Sequence, residues 1–303
     1  MVTAYFNVGR FPKGSTSTIY GADIYERWML TLSLVRNPMI IFVDNAVDQC
    51  YAKMIRNRLP SNRTRIVKVS QSEMWSFRLV PRIAAIFTQR GYPKHLPNTV
   101  EPRYSAAMHA KYEVMHQATT ENPFRTRYFS WLDVGLFRDL ITGVDVIDDN
   151  TTLALVGQFS LELPPGFLND SISFCEITER IDSSNASEIV RLNLVWVGGG
   201  FFVGKTEVMR RWTTEYMNGV QKMFALGQMS TDQQVIYFIL NCLRPRTTIQ
   251  TYRGDERYSA WFHLAYVSGR LLVTASASIH LHGMVSLLAR MGLQYFIINI
   301  WKH

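Results

Sequence analysis

One carboxylate, Asp133, stands directly after the apolar segment Tyr128–Leu132. Open α/β sheets bind ligands beyond the carboxyl ends of their strands, so an acid at such a position can face a ligand. Mg²⁺ and Mn²⁺ prefer oxygen ligands and leave positions open for phosphate and water. Asp133 is therefore a candidate for holding a divalent metal against a diphosphate, although an aspartate here can also simply cap the next turn.

Two histidines late in the sequence, His280 and His282, are candidates for further metal ligands. Alternate residues of a strand share a face, so a strand near 276–281 that continues to His282 would place both imidazoles on one side. A histidine packed in the core or exposed on the surface is the alternative, since the pair has neither Asp-x-His nor His-x3-His spacing.

Two further segments end in polar residues. Arg10 follows the first apolar run and Gly9, and its guanidinium could donate two hydrogen bonds to a phosphate. Asp44 follows a second apolar run and could accept from a ribose hydroxyl. The alternatives are a solvated arginine after a turn and an Asp-Asn pair that only forms a turn.

Two segments of the second half could contact a sugar or an acceptor. Gly199, Gly200 and Phe201 belong to a glycine run with aromatic residues, which lets backbone approach a bulky ligand; the alternative is a glycine bulge in a core strand. Asp232 and Gln233 open an apolar helix, where Asp232 could take the proton from an attacking hydroxyl. Ser230 and Gln233 also have the spacing of a capping box, which is a structural alternative.

The elements that must position these residues alternate along the first half of the chain. Strands are expected near 2–8, 38–43, 65–69 and 128–132, and helices near 24–35, 73–89 and 104–118 with one between the second and third strands. This rhythm predicts an α/β fold with a mainly parallel sheet. In the second half, strands are expected near 153–159, 194–203 and 276–281, and helices near 206–226 and 231–243.

Composition restricts the class of protein. Apolar residues make up 47% of the chain and charged residues 18%, which predicts an ordinary globular protein with a large core. The net charge of +8 favours phosphate-bearing partners. Because the basic residues are dispersed, nucleic acid is not an expected partner. No stretch predicts a transmembrane span: the apolar segment 284–301 is interrupted by Arg290 and Gln294.

Three dispersed cysteines fit neither a disulfide framework nor a metal knuckle, and favour a reducing compartment. Met1 leads directly into an apolar run without a basic segment or a cleavage site. A cytoplasmic location is therefore expected, with the Golgi lumen as the alternative if an N-terminal anchor is missing from the sequence.

Four segments together resemble the HtrL/YibB family. They are Val2 to Arg10, Asn122 to Thr126, Tyr128 to Gly135 and Gly199 to Gly204. The later motifs are also similar to those of retaining family 8 glycosyltransferases, namely Asp133, Gly199 to Phe202, Asp232-Gln233 and His280 to Gly283. Two positions depart from that pattern: Gly135 stands where the second acid of Asp-x-Asp would be, and Asn7 stands where relatives usually show Asp.

The resemblance implies a GT-A-like fold, with a Rossmann-type mixed, mainly parallel sheet flanked by helices. It also implies transfer of a sugar from a nucleotide-sugar donor, with Mn²⁺ or Mg²⁺ on the diphosphate. Asp133 and His280 would hold the metal, and Arg10 or Lys111 could neutralise the diphosphate in its place. One domain over 1–303 is expected, with a nucleotide-binding half at 1–135 and an acceptor and metal half at 136–303. The rival hypothesis is a carbohydrate-binding or scaffolding pseudoenzyme of the same fold.

Overall fold

A computed structural model describes residues 1–14, 18–138, 158–181, 185–254 and 260–272. Its strands are β1 (Val2–Tyr5), β2 (Phe11–Lys13), β3 (Thr18–Tyr20), β4 (Met39–Val43), β5 (Thr64–Lys68), β6 (Tyr128–Leu132), β7 (Gln158–Leu161), β8 (Ser171–Glu176), β9 (Val197–Lys205), β10 (Thr248–Arg253) and β11 (Gly269–Leu272). Its helices are α1 (Ala22–Met29), α2 (Ala46–Arg56), α3 (Trp75–Arg78), α4 (Val80–Phe87), α5 (Pro102–Glu121), α6 (Ala186–Arg191), α7 (Thr206–Ala225), α8 (Asp232–Phe238) and α9 (His263–Ser268). Short 3₁₀ turns follow α1 (Leu30–Leu34) and precede β5 (Ser61–Arg63), and a π-helical turn (Ile239–Leu243) extends α8.

Seven strands form the central sheet in the order β10-β8-β9-β6-β1-β4-β5. Strands β6, β1, β4 and β5 are parallel to one another, β10 is parallel to β8, and β9 runs antiparallel to both of its neighbours. The expected α/β fold with a mixed, mainly parallel sheet is confirmed. Two small antiparallel pairs, β2 with β3 and β7 with β11, lie outside this sheet.

Side chains of the central strands alternate between two hydrophobic cores, one on each face of the sheet. In β4, Ile40 and Phe42 belong to one core, whereas Met39, Ile41 and Val43 belong to the other. Both faces are covered, which explains why this strand is a continuous apolar run in the sequence. The larger core contains residues of α4, α5, α7 and α8; the smaller one contains residues of α2, α9 and the turn after α1.

Local signals set the ends of helices α2 and α5. Helix α2 begins after Asn45, whose side chain accepts a hydrogen bond from the Asp48 backbone at 2.9 Å. Helix α5 starts at Pro102, whose fixed φ suits a first turn, and ends at Glu121; the next residue, Asn122, has a left-handed φ of 35°. The chain therefore turns sharply before β6 and directs that strand into the centre of the sheet.

One expected helix is shorter than predicted, and one expected strand is not among the described elements. The predicted helix over 24–35 ends at Met29 and continues as a 3₁₀ turn to Leu34. The expected strand near 276–281, with His280 at its end, lies outside the described residues. In the part of the chain that the structure describes, no helix is long and apolar enough to span a bilayer.

Candidate ligand pocket at the ends of β1 and β6

A pocket opens at the carboxyl ends of the neighbouring parallel strands β1 and β6. Its walls include the turn after β1 (residues 6–9) and the turn after β6 (residues 133–136). Helix α5 contributes Tyr104, Met108 and Lys111 from one side. This is the edge at which open α/β sheets bind ligands, because loops rather than strands continue there.

Asp133 is the carboxylate at this pocket. Its backbone N–H donates to the carbonyl of Gly200 on β9 at 2.8 Å, which continues the β6–β9 pairing by one bond. The indole N–H of Trp131 donates to its Oδ1 at 2.7 Å and fixes the carboxylate orientation. The side chain is 37% exposed, so it remains accessible from the pocket.

Lys111 connects Asp133 to a second, buried carboxylate. Its Nζ lies 3.2 Å from Asp133 Oδ1 and 3.1 Å from Asp232 Oδ2, and it also donates to the Gly199 carbonyl at 3.2 Å. Both Lys111 and Asp232 are almost fully buried, with side chains 6% and 2% exposed. The three N–H groups of the ammonium thus have three acceptors, of which one follows β6, one lies on β9 and one lies on α8.

Burial opposes the charged form of both residues, and the ion pair outweighs this effect only for Lys111. Burial alone lowers the pKa of Lys111, but Asp133 and Asp232 outweigh it, so the pKa lies above its usual value. Burial raises the pKa of Asp232 above its usual value, and the Lys111 ammonium offsets only part of that rise. Lys111 is therefore charged at neutral pH, because two carboxylates stabilise its ammonium.

The glycine run of β9 shapes the floor of this cluster. A Cβ at Gly199 would overlap the Asp232 carboxylate, whereas a Cβ at Gly200 would come no closer than 3.8 Å to any heavy atom. Phe201 is 1% exposed and packs in the smaller core rather than lining the pocket. The structure therefore places Gly199 against Asp232 and Gly200 against Asp133.

Helix α8 presents Asp232 as its first residue and half-buried Gln233 as its second. The capping box between Ser230 and Gln233, which was the structural alternative, is not formed, because the N-cap is Thr231 and its side chain makes no capping hydrogen bond. The hydroxyls of Ser230 and Thr231 both donate to Gln234 Oε1, at 3.0 and 2.8 Å, because the helix begins at Asp232 and Gln234 occupies its third position.

Arg10 and Asp44 lie apart from the cluster. Arg10 is exposed and lies beside Gly21. Asp44 accepts from the Asn7 backbone at 3.1 Å and from Gln71, and so holds the turn after β1 against the segment after β5. Asp44 also lines a second, polar cavity next to the first, and Asn7 borders both.

Gly135 occupies the place of a second acid in an Asp-x-Asp motif, and the structure shows what a side chain would meet there. An added Cβ would lie 2.6 Å from Cε3 and 2.9 Å from Cζ3 of Trp28. Trp28 packs in a three-ring cluster with Tyr20 and Tyr25, with centroid distances of 5.9 and 5.1 Å from its own ring. A second carboxylate therefore does not fit at position 135 while Trp28 keeps this position.

The residues expected to hold a metal fall partly outside the described part of the chain. His280 and His282 lie outside the described residues. Among the residues that are described, no group of three or more His, Cys, Asp or Glu side chains could hold a metal. Asp133 fits as one ligand because its carboxylate is accessible, but Lys111 already contacts both of its oxygens.

Sequence reasoning missed most of the pocket wall. Aromatic side chains of α1, β2, β3 and α5 pack together around it, with Phe11 and Tyr104 at 4.9 Å and Tyr25 edge-on to Trp28. Lys13 and Arg138 also line the pocket. The aromatic spacing in 20–28 could have indicated this wall, since Tyr25 and Trp28 lie three residues apart on one face of a helix.

The fold is that of an α/β protein with a pocket at the carboxyl edge of its sheet. The chain matches the family model described as "Bacterial protein of unknown function (HtrL_YibB)" over residues 1–264, and it belongs to that family. The resemblance identified from the sequence motifs is thereby confirmed.

Comparison of structures gives a distant match to the apo form of mouse xyloside xylosyltransferase 1. It covers 97% of this chain and 92% of that one, at 12% identity and a TM-score of 0.40. No curated protein matches the sequence.

Proposed function

We propose that this protein is a glycosyltransferase that moves a sugar from a nucleotide-sugar donor to an acceptor. The observation that carries the proposal is the pocket at the ends of β1 and β6, where exposed Asp133 stands beside the Lys111–Asp232 pair and an aromatic wall. A donor of this kind combines an aromatic base, a diphosphate and a polar sugar, and the pocket offers a partner for each.

The charge of the pocket favours a diphosphate. Its charged lining residues are the cations Lys13, Lys111 and Arg138 and the carboxylate Asp133. The lining is therefore net positive, and the leaving nucleoside diphosphate would be stabilised electrostatically as its charge develops. The aromatic wall supports binding of the base, because planar rings stack on Tyr and Trp side chains.

Asp133 is proposed to contact the donor, and Lys111 to position Asp133. The Trp131 indole and the Lys111 ammonium hold the carboxylate before a ligand arrives, so little reorganisation is needed on binding. The expected role of Asp232 as a base on the acceptor hydroxyl stays a prediction. Its 2% exposure and its salt bridge support a different role, which is to hold Lys111.

A divalent metal stays part of the proposal. Mn²⁺ or Mg²⁺ would be held by Asp133 and by His280 or His282, and it would neutralise the diphosphate of the donor as a Lewis acid. The side chains of Gln233, Arg10 and Asp44 lie outside the Lys111 cluster. We propose that they contact parts of the donor or the acceptor that extend beyond this cluster.

The experiment is a screen of nucleotide sugars against the wild type, with Mn²⁺ and with EDTA, by thermal shift and by release of nucleoside diphosphate. A ligand at 100 times its dissociation constant raises the free energy of unfolding by about 2.7 kcal/mol. Asp133→Asn should abolish release and change the melting temperature by only a few degrees, because this half-exposed carboxylate serves the ligand more than the core.

Asp170→Asn, an exposed carboxylate outside the pocket, is the matched control and should keep full activity. Near-normal release by Asp133→Asn would refute the assignment of the site. Binding of a donor without release under any condition would instead favour the non-catalytic carbohydrate-binding alternative. Full activity in EDTA would show that no metal is required, and it would assign neutralisation of the diphosphate to the cations of the pocket.

A further inference from the structure

Lys13 is the cation of the pocket whose charge is not already engaged by acceptors. Lys111 is saturated by Asp133, Asp232 and the Gly199 carbonyl. Arg138 donates to the Gly135 carbonyl at 3.1 Å and packs over the rings of Trp28 and Phe262. Within the described part of the chain, no carboxylate or carbonyl accepts a hydrogen bond from the Lys13 ammonium.

Aromatic rings, rather than an acid, hold Lys13 in place. Its Nζ lies 5.6 Å from the ring centroids of both Tyr20 and Tyr104. Cation–π contacts fix the position of an ammonium but leave its N–H groups available to a ligand. The side chain is half-buried, so its charge is less screened than that of a lysine on the open surface.

We propose that Lys13 binds the diphosphate of the donor and is the residue by which the pocket distinguishes a nucleoside diphosphate from a nucleoside. This inference rests on the proposed function and adds a residue and a basis of specificity to it. Lys13 reaches the pocket from the β2–β3 hairpin, and Asp133 lines it from the turn after β6. The two side chains have opposite charges. An anionic group is therefore drawn to the hairpin side of the pocket.

The test compares Lys13→Gln with the wild type by calorimetric titration with UDP, GDP and ADP and with the corresponding nucleosides, in EDTA and in Mn²⁺. A hydrogen bond to a charged group contributes enough that its loss should weaken diphosphate binding by about 10- to 100-fold. Nucleoside affinity should stay unchanged. Lys222→Gln removes the same charge from the exposed side of α7 and should behave as the wild type.

The possible failures are distinguishable. If the wild type prefers a diphosphate over its nucleoside and Lys13→Gln keeps the same preference, the role of Lys13 is refuted and the proposed function stands. If the wild type binds none of the diphosphates, the proposed function itself is refuted, and this inference with it. Lys13→Arg keeps the charge and should retain most of the preference, which excludes a merely structural effect of the glutamine.

Discussion

Lys111 illustrates how far a single residue can be interpreted from the sequence. Asp133 and Asp232 lie 22 and 121 residues away from it along the chain, so its two carboxylate partners could not be assigned locally. A signal was nevertheless present. Lys111 follows Tyr104 by seven residues and Met108 by three, which places a charge beside the apolar face of α5. A lysine there requires a buried partner.

For the other site residues, the sequence likewise indicates the position but not the contacts with distant segments. Asp133 was predictable because an apolar strand ends directly before it. The glycine run predicted that another group approaches the backbone closely at Gly199. In the structure that group is the Asp232 carboxylate of the protein itself rather than a sugar. Only the fold brings β9 and the start of α8 together.

Gly199 and Gly200 form a matched pair for testing this packing. Gly199→Ala should destabilise the protein by about 1–3 kcal/mol, because its Cβ would overlap the Asp232 carboxylate and disturb the salt bridge to Lys111. Gly200→Ala, one residue along the same strand, should stay within about 0.5 kcal/mol of the wild type. Urea unfolding of both variants measures this difference, and equal losses would contradict it.

At the scale of elements, most strands of the central sheet were predicted, whereas β8 and β10 were missed. Strands β1, β4, β5 and β6 were all expected, as was α5. Strand β8 was not, because Ser171 and Ser173 interrupt its apolar pattern. In the structure their hydroxyls bond to the side chains of Thr248 and Gln250 on β10. Both β8 and β10 depend on a partner that the local sequence does not reveal.

The packing of α5 against α7 contains a buried histidine that should affect stability in acid. His109 is fully buried, with its Nδ1 2.8 Å from the hydroxyl of Tyr216, and burial lowers its pKa to about 3. The unfolded chain binds a proton there below the ordinary pKa of 6.5, and the folded protein does not. The free energy of unfolding should therefore fall as pH decreases from about 6.5 towards about 3, by up to about 1.4 kcal/mol per unit.

Urea titrations at several pH values between 7.5 and 4 measure this slope. His109→Gln should have a shallower slope than the wild type, even if it is less stable at every pH. His116→Gln, on the same helix but only half-buried, is the control and should keep the wild-type slope. Identical slopes for His109→Gln and the wild type would show that this histidine does not contribute to acid sensitivity.

At the scale of the whole molecule, the two halves expected from the sequence contribute to one sheet. Strands β1, β4, β5 and β6 come from residues 1–135, and β8, β9 and β10 from residues 136–303. The halves meet where β6 pairs with β9, directly beside Asp133 and Gly200. The larger core also contains residues from both halves.

Because of this shared sheet, thermal unfolding should follow a single cooperative transition. Scanning calorimetry should give a calorimetric enthalpy equal to the van't Hoff enthalpy. Two resolved transitions would show instead that the halves unfold as separate domains. A donor that binds the pocket should shift the whole transition, because its walls come from residues on both sides of residue 135.

The contact between Gly135 and Trp28 also restricts how this family can change. An acid introduced at position 135 alone would displace a tryptophan that packs against both Tyr20 and Tyr25. A smaller residue at position 28 would have to come first, or at the same time, for the acid to be accommodated. Substitutions at these two positions should therefore occur together among relatives, so the evolutionary history of position 135 is tied to that of a helix more than a hundred residues earlier in the chain.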